Sequence, residues 1–221
     1  PLATDIPVAY ISRRVLDHVF AATGRNALAW VKETDASGSG SGFATKVDAD
    51  LTVVILPAKR VGWNLVAVLP GSDPDLKDEY IVIGAHYDHV GANEEGDIWN
   101  GADDNASGTV AALALAESFV IASERPRRSL VFAFFSGEEI GLLGASKFLY
   151  QGIIKPHAIA AMLNLDMIGR ALNKMVHVVG SKSSPLMPTI AARSAEGLDP
   201  RFDTEHEEFF DRSDQAVFYY A

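Results

Sequence analysis

The chain contains no cysteine. Disulfides and thiolate chemistry are therefore excluded, and any bound metal must take His, Asp or Glu ligands. Positive charge is scarce: 19 Lys and Arg stand against 29 Asp and Glu, for a net charge of −10. Nucleic acid is disfavoured as a partner, because phosphate binding needs a basic face. No apolar run is long enough for a membrane span or a signal segment, and the chain begins at Pro1 without an initiator Met or a basic leader. A processed or excised product of a longer protein is expected. No internal repeat is visible.

What remains is ordinary for a globular protein, with 48% hydrophobic and 22% charged residues. A chain of 221 residues buries roughly 70% of the surface its unfolded form exposes. It needs neither disulfides nor oligomerisation to build a core, and 1–221 is expected to form a single domain.

Apolar residues recur at helical spacing over 8–23 (Ile11, Val15, Leu16, Val19, Phe20), with Gly24 suited to the end of a helix. Residues 37–42 read Ser-Gly-Ser-Gly-Ser-Gly, a flexible loop. Residues 51–56 and 64–69 read as neighbouring, antiparallel strands, and 70–74 as a turn. Beyond them, short apolar strands at 80–85, 130–135 and 160–165 alternate with helices at 109–121 and 141–150. A further strand at 175–179 and a helix at 185–196 follow. Continuous apolar strands alternating with helices predict a three-layer α/β/α fold on a mixed, mainly parallel sheet.

Polar residues mark the ends of these strands. His86 and Asp88 follow the first, Glu138 and Glu139 the second, and Asp166 ends the third. Ligands of open α/β sheets sit beyond the carboxyl ends of the strands. In Ala85-His86-Tyr87-Asp88-His89, residues two apart project to one side, so Asp88 can fix the tautomer of His86, as a metal-bound His requires; a structural pair reads the same way. Asn100-Gly101-Ala102-Asp103-Asp104-Asn105-Ala106-Ser107-Gly108 is either a helix cap or a loop whose glycines aim a carboxylate inward. Ser136-Gly137-Glu138-Glu139 is either an acidic first turn or a general base beside a metal ligand. The carboxylate of Asp166 ends a buried strand, which is costly unless it is paired or bound to metal. Singly, none decides the matter; their order and common placement point to one site.

Four motifs carry a family resemblance from about Gly62 onward. They are Gly84-Ala85-His86-Tyr87-Asp88, Gly101 to Gly108, Ser136-Gly137-Glu138-Glu139-Ile140-Gly141 and Asn164-Leu165-Asp166-Met167-Ile168-Gly169. They resemble the co-catalytic di-zinc peptidases that include bacterial leucyl aminopeptidases and plasma glutamate carboxypeptidase. The resemblance implies a phosphorylase/hydrolase-like zinc exopeptidase fold acting on peptide substrates, in a secreted or periplasmic setting. By position, His86 and Asp166 would hold one zinc, Asp104 would bridge to a second held by Glu139, and Glu138 would be the general base. Asp88 would assist catalysis from beside His86. A cis peptide is implied after the bridging Asp104, and a protease-associated domain upstream is common among such proteins. Arg212, in Asp211-Arg212-Ser213-Asp214-Gln215, would line the substrate pocket.

Two departures stand out. Gln215 occupies a position often held by His, and the last zinc ligand of the family, a His well beyond the Ser-Asp segment, has no counterpart before Ala221. The chain is thus expected to be truncated before the last strand and helix. It is expected to bind one or two zinc ions and to be weakly active or inactive. The unassigned His18, His89, His157, His177 and His206 are not expected to complete the site, and His206 is expected on a solvated face. The alternatives are a carboxypeptidase, a single-zinc glutaminyl cyclase and a non-enzymatic binding relative.

Overall fold

The computed structural model describes residues 10–39, 42–45, 47–48, 50, 52, 59–170, 174–197 and 201–221. The chain divides into two compact units, Pro1–Ala58 and Lys59–Ala221. In the first, α1 (Arg13–Ala21) and α2 (Ala27–Ser37) contribute Phe20 and Ala27 to a small core. The rings of Phe20, Trp30 and Phe43 meet edge to face or tilted, with centroids 5.3–5.9 Å apart. Helix α2 was not foreseen; the Asn26 side chain accepts from the Ala29 N–H at its start, and left-handed Gly38 ends it. The strand expected at 51–56 lies almost wholly outside the described residues.

The second unit is built on a four-stranded mixed sheet in the order β1-β3-β2-β4, from β1 (Leu65–Leu69), β2 (Tyr80–His86), β3 (Ser129–Phe135) and β4 (Ile159–Asn164). Strands β3 and β4 run parallel to β2 on either side, and β1 runs antiparallel on the outer edge of β3. β3 is buried along its whole length. Its alternating side chains feed two cores. Val131, Ala133 and Phe135 join Phe148 and Leu149 of α4 (Leu143–Tyr150) and Phe218 of α6 (Gln215–Tyr219). Leu130, Phe132 and Phe134 join Ala112, Ala116 and Phe119 of α3 (Gly108–Ile121).

A separate parallel pair, β5 (Met175–His177) and β6 (Arg201–Asp203), flanks α5 (Met187–Ala195) in sequence. Among the described residues no helix is long and apolar enough to cross a membrane.

Candidate metal centre

Register brings the motifs together. Gly84 lies opposite Asn164 and His86 opposite Phe135 across parallel ladders. His86 thus ends β2 level with the start of the loop after β4 that carries Asp166, and just before the turn after β3 that carries Glu138 and Glu139. A third loop, 101–108, enters from the side. Its Gly101 is left-handed, Asp104 and Asn105 depart from helical geometry, and the Asp104–Asn105 peptide is cis, as the resemblance implies. The Asn105 side chain is 2% exposed. It donates to the Leu165 carbonyl and accepts from the N–H groups of Gly108 and Met167. Gly108 is required by the close approach, since a Cβ there would lie 2.1 Å from the Leu165 oxygen.

These ties separate the two candidate aspartates. Asp103 Oδ1 accepts from the Gly169 N–H at 2.9 Å, so that side chain serves the neighbouring loop. Asp104 faces the strand ends, with Oδ1 3.2 Å from His86 Nε2 and Oδ2 3.8 Å from His89 Nδ1. Asp166 Oδ1 is 3.5 Å and Glu138 Oε2 4.0 Å from the same His86 Nε2. Two sets of potential ligands result, His86–Asp104–Asp166 and His89–Asp104–Glu139, with Asp104 common to both.

His89 was left unassigned in the sequence reading, yet its Nδ1 lies 2.6 Å from Glu139 Oε1. Two donors on one tetrahedral ion stand roughly 3.3 Å apart, given N and O bonds of about 2.0–2.1 Å. At 2.6 Å the contact is a direct hydrogen bond, so His89 as placed orients Glu139. The only sequence signal was its position three residues after His86. His18 and His157 join no such set among the described residues.

Asp88 lies beside His86. Its backbone carbonyl, 3.1 Å from His86 Nδ1, is what fixes that ring. Its carboxylate, 3.7 Å from the ring, instead accepts from the N–H groups of Glu138 and Glu139 at 3.1 and 3.4 Å. Ser213, also missed, donates to Asp166 Oδ2 at 2.7 Å and orients that carboxylate. The Arg212 guanidinium lies 5.6 Å from the Phe209 ring centroid.

The electrostatics are those of crowded carboxylates around one imidazole. Burial disfavours a charged His86, but Asp166, Glu138 and Asp214 outweigh it and raise its pKa to about 9. Burial pushes Glu138 up to about 7, with repulsion from Asp214, Asp166 and Glu139 adding to it and His86 opposing. Burial and the charges of Glu139 and Asp166 also raise Asp104. Burial works against a charged Asp166 too, but His86 and Ser213 more than offset it and lower its pKa. Asp214, behind the cluster and 0% exposed, is raised to about 7, chiefly by burial.

Zinc fits this donor set. Buried His86 Nε2 and Asp166 Oδ1 face each other without a hydrogen-bond partner, which native interiors avoid unless an ion or water serves both. The donors are all nitrogen and oxygen, and the other nitrogen of the His86 ring, Nδ1, is already held by protein.

The strand ends of the mixed α/β sheet thus carry two adjoining sets of His and carboxylate groups that could hold metal ions. Residues 64–221 match the model of Peptidase family M28, and the chain belongs to that family. A probable zinc metalloprotease of Pyrenophora tritici-repentis is 42% identical over 130 residues, covering 57% of this chain and 28% of that protein. A probable leucine aminopeptidase of Arthroderma benhamiae is 30% identical over 169 residues, covering 75% and 44% respectively. The solved zinc aminopeptidase BSAP of Bacillus subtilis is similar at a TM-score of 0.54 and 25% identity, over 71% of this chain and 37% of that one. The chain spans under half the length of each of these relatives.

Proposed function

We propose that this chain carries the zinc ligands and proton-transfer group of an aminopeptidase that releases N-terminal residues from peptides. The observation that carries the reading is Asp104, whose carboxylate lies within ligand range both of His86 and Asp166 and of Glu139. The names of the relatives, zinc metalloprotease and leucine aminopeptidase, support the same chemistry.

In this reading His86, Asp104 and Asp166 would hold one ion, and Asp104 and Glu139 would contribute to a second. Bound zinc would polarise the scissile carbonyl and make a bound water acidic near neutral pH. Glu138 takes the proton from the attacking water and passes it to the leaving amine. Asp88 steadies the Glu138–Glu139 turn through two N–H groups, and His89 and Ser213 aim Glu139 and Asp166. The two cores on opposite faces of β3 support the three-layer arrangement for this unit.

The test is zinc content after stripping and reloading, together with hydrolysis of leucine p-nitroanilide. Hydrolysis is to be measured with this chain and with a version lengthened to the span of its relatives. Two tight ions are expected in the lengthened version, one of them lost in Glu139→Ala. Glu138→Gln should keep both ions and lose roughly 10²- to 10⁴-fold in rate. Parent-like hydrolysis by Glu138→Gln would remove the base assignment, and no tight zinc would remove the whole reading. Cleavage of an N-acetylated substrate as fast as the free amine would exclude an aminopeptidase.

A further inference from the structure

A third cluster of ligand atoms shares no residue with the centre above. His177 ends β5 and Asp203 ends β6, and the two are register partners across the parallel pair. His206 follows three residues later. The Oδ2 of Asp203 stands 3.2 Å from His177 Nδ1 and 3.3 Å from His206 Nε2, and all three atoms lie within 4.8 Å of one another. The two imidazole rings meet edge to face, with centroids 4.8 Å apart at 80°.

From this geometry we propose that His177, Asp203 and His206 form an additional site for a divalent transition-metal ion of zinc's class, held by Nδ1, Oδ2 and Nε2 respectively. Donors on a tetrahedral ion with bonds of about 2.0–2.1 Å stand roughly 3.3 Å apart, which is the spacing both imidazoles already keep from Asp203. The orientation is fixed from behind. His206 Nδ1 lies 2.8 Å from Glu208 Oε1, so in the neutral ring the single proton sits on Nδ1 and the Nε2 lone pair faces Asp203. In the metal-free chain Glu208 and Asp203 favour the protonated ring, whose Nε2–H faces Asp203 Oδ2 at 3.3 Å; a bound ion would take the place of that proton. A carboxylate holding the far nitrogen of a ligand imidazole is the usual outer support of a metal-bound His. Asp203 is steadied likewise, its Oδ1 accepting from the Glu205 N–H at 3.0 Å.

Two imidazoles and one carboxylate select zinc or its neighbours over calcium and magnesium, which take oxygen ligands. His177 and His206 are 51% and 41% exposed, which leaves the fourth position to solvent. The consequence is structural. Strands β5 and β6 are three residues each, too short to be stable as an isolated pair, and an ion here ties both strand ends to the segment after β6.

The test follows each histidine by itself. The chain is labelled with ¹⁵N-histidine, stripped with chelator and titrated with zinc while imidazole nitrogens are read by long-range ¹H–¹⁵N correlation. His177 Nδ1 and His206 Nε2 are expected to move to metal-bound shifts while His206 Nδ1 keeps its proton. His177→Ala/His206→Ala should bind one ion fewer, and Glu208→Gln should weaken that ion by roughly 10- to 100-fold. A His86→Ala variant should leave the His177 and His206 response intact, which separates this site from the Asp104 centre. Imidazole signals of His177 and His206 unmoved by excess zinc would overturn the proposal, as would an unchanged ion count in the folded double variant.

Discussion

Asp104 turns its two carboxylate oxygens to different imidazoles, Oδ1 to His86 at 3.2 Å and Oδ2 to His89 at 3.8 Å. A residue shared in this way couples the two ligand sets. Asp104→Asn should therefore weaken both ions at the centre, whereas Glu139→Ala should weaken one. The loss for Asp104→Asn should exceed the roughly 10- to 100-fold typical of an outer-shell partner. Isothermal titration of stripped protein with zinc reads both stoichiometry and affinity. A variant that loses one ion and keeps the other at parent affinity would contradict the bridging role.

His89 offers a graded comparison. As the hydrogen-bond partner of Glu139, its removal in His89→Ala should cost the second ion about 10- to 100-fold in affinity and leave the first nearly unchanged. The same titration checks it, and equal losses at both ions would show that His89 does more than orient Glu139.

Proton linkage gives a sign that can be checked without any substrate. In the metal-free protein His86 titrates at about 9, raised from 6.5. The charged imidazole therefore contributes stability that is complete below about 6.5 and is lost as pH climbs toward 9. Zinc binding must eject that proton, so zinc affinity should rise with pH across the same window. Calorimetry at pH 7.5 in buffers of different ionisation enthalpy should show about one proton released per ion at this position. Pure buffer independence would mean that His86 binds metal from the neutral state.

Asp214 makes the opposite kind of group visible. Its two oxygens are buried without partners, and its pKa is raised from 3.8 to about 7. Between those values the folded chain holds a proton that the unfolded chain has released, so stability falls as pH rises. Asp214→Asn should stabilise the metal-free protein at pH 8 and change little at pH 4. A gain of a few degrees is expected, at about 2–4 °C per kcal/mol for a chain of this size. Thermal unfolding at the two pH values decides it; equal shifts at both would mean the charge is not what costs stability.

The close approach at Gly108 can be probed by one methyl group. Gly108→Ala would press Cβ to within 2.1 Å of the Leu165 oxygen and 2.4 Å of Asn105 Oδ1. Destabilisation at or above the roughly 1–3 kcal/mol typical of overpacking is expected, with zinc affinity falling because Asp104 and Asp166 flank that contact. Denaturant unfolding and zinc titration of the same variant test the two halves separately.

Much of the centre could be read before any folding was considered. Apolar runs closed by His86, by Glu138 and Glu139, and by Asp166 mark strand ends, because a buried parallel strand tolerates polar groups only where it leaves the sheet. The order of motifs then specified the family and its candidate ligands. Pairing partners were less legible. The partner expected for residues 64–69, residues 51–56, lies almost wholly outside the described residues; the pairing of β1 with β3, more than sixty positions on, was not legible, because any apolar strand offers the same N–H and C=O groups to whichever partner packing brings near. Helix α2 was passed over because its apolar positions do not form a single stripe, and only Asn26 signals its start.

The sequence by itself determined the ligand chemistry. Without cysteine any metal donors have to be imidazole and carboxylate, and the strand-end pattern marked most of the candidates. Tertiary structure decided their division of labour. It turned Asp103 to the Gly169 N–H and Asp104 to the two imidazoles. It set the Asp88 carboxylate on the Glu138–Glu139 turn, and it gathered His177, Asp203 and His206 from separate segments. These outcomes depend on which backbone N–H groups and rings lie within about 3 Å of each side chain. Spacing along a chain does not contain that information, because loop closure and strand register set it only once the sheet is assembled.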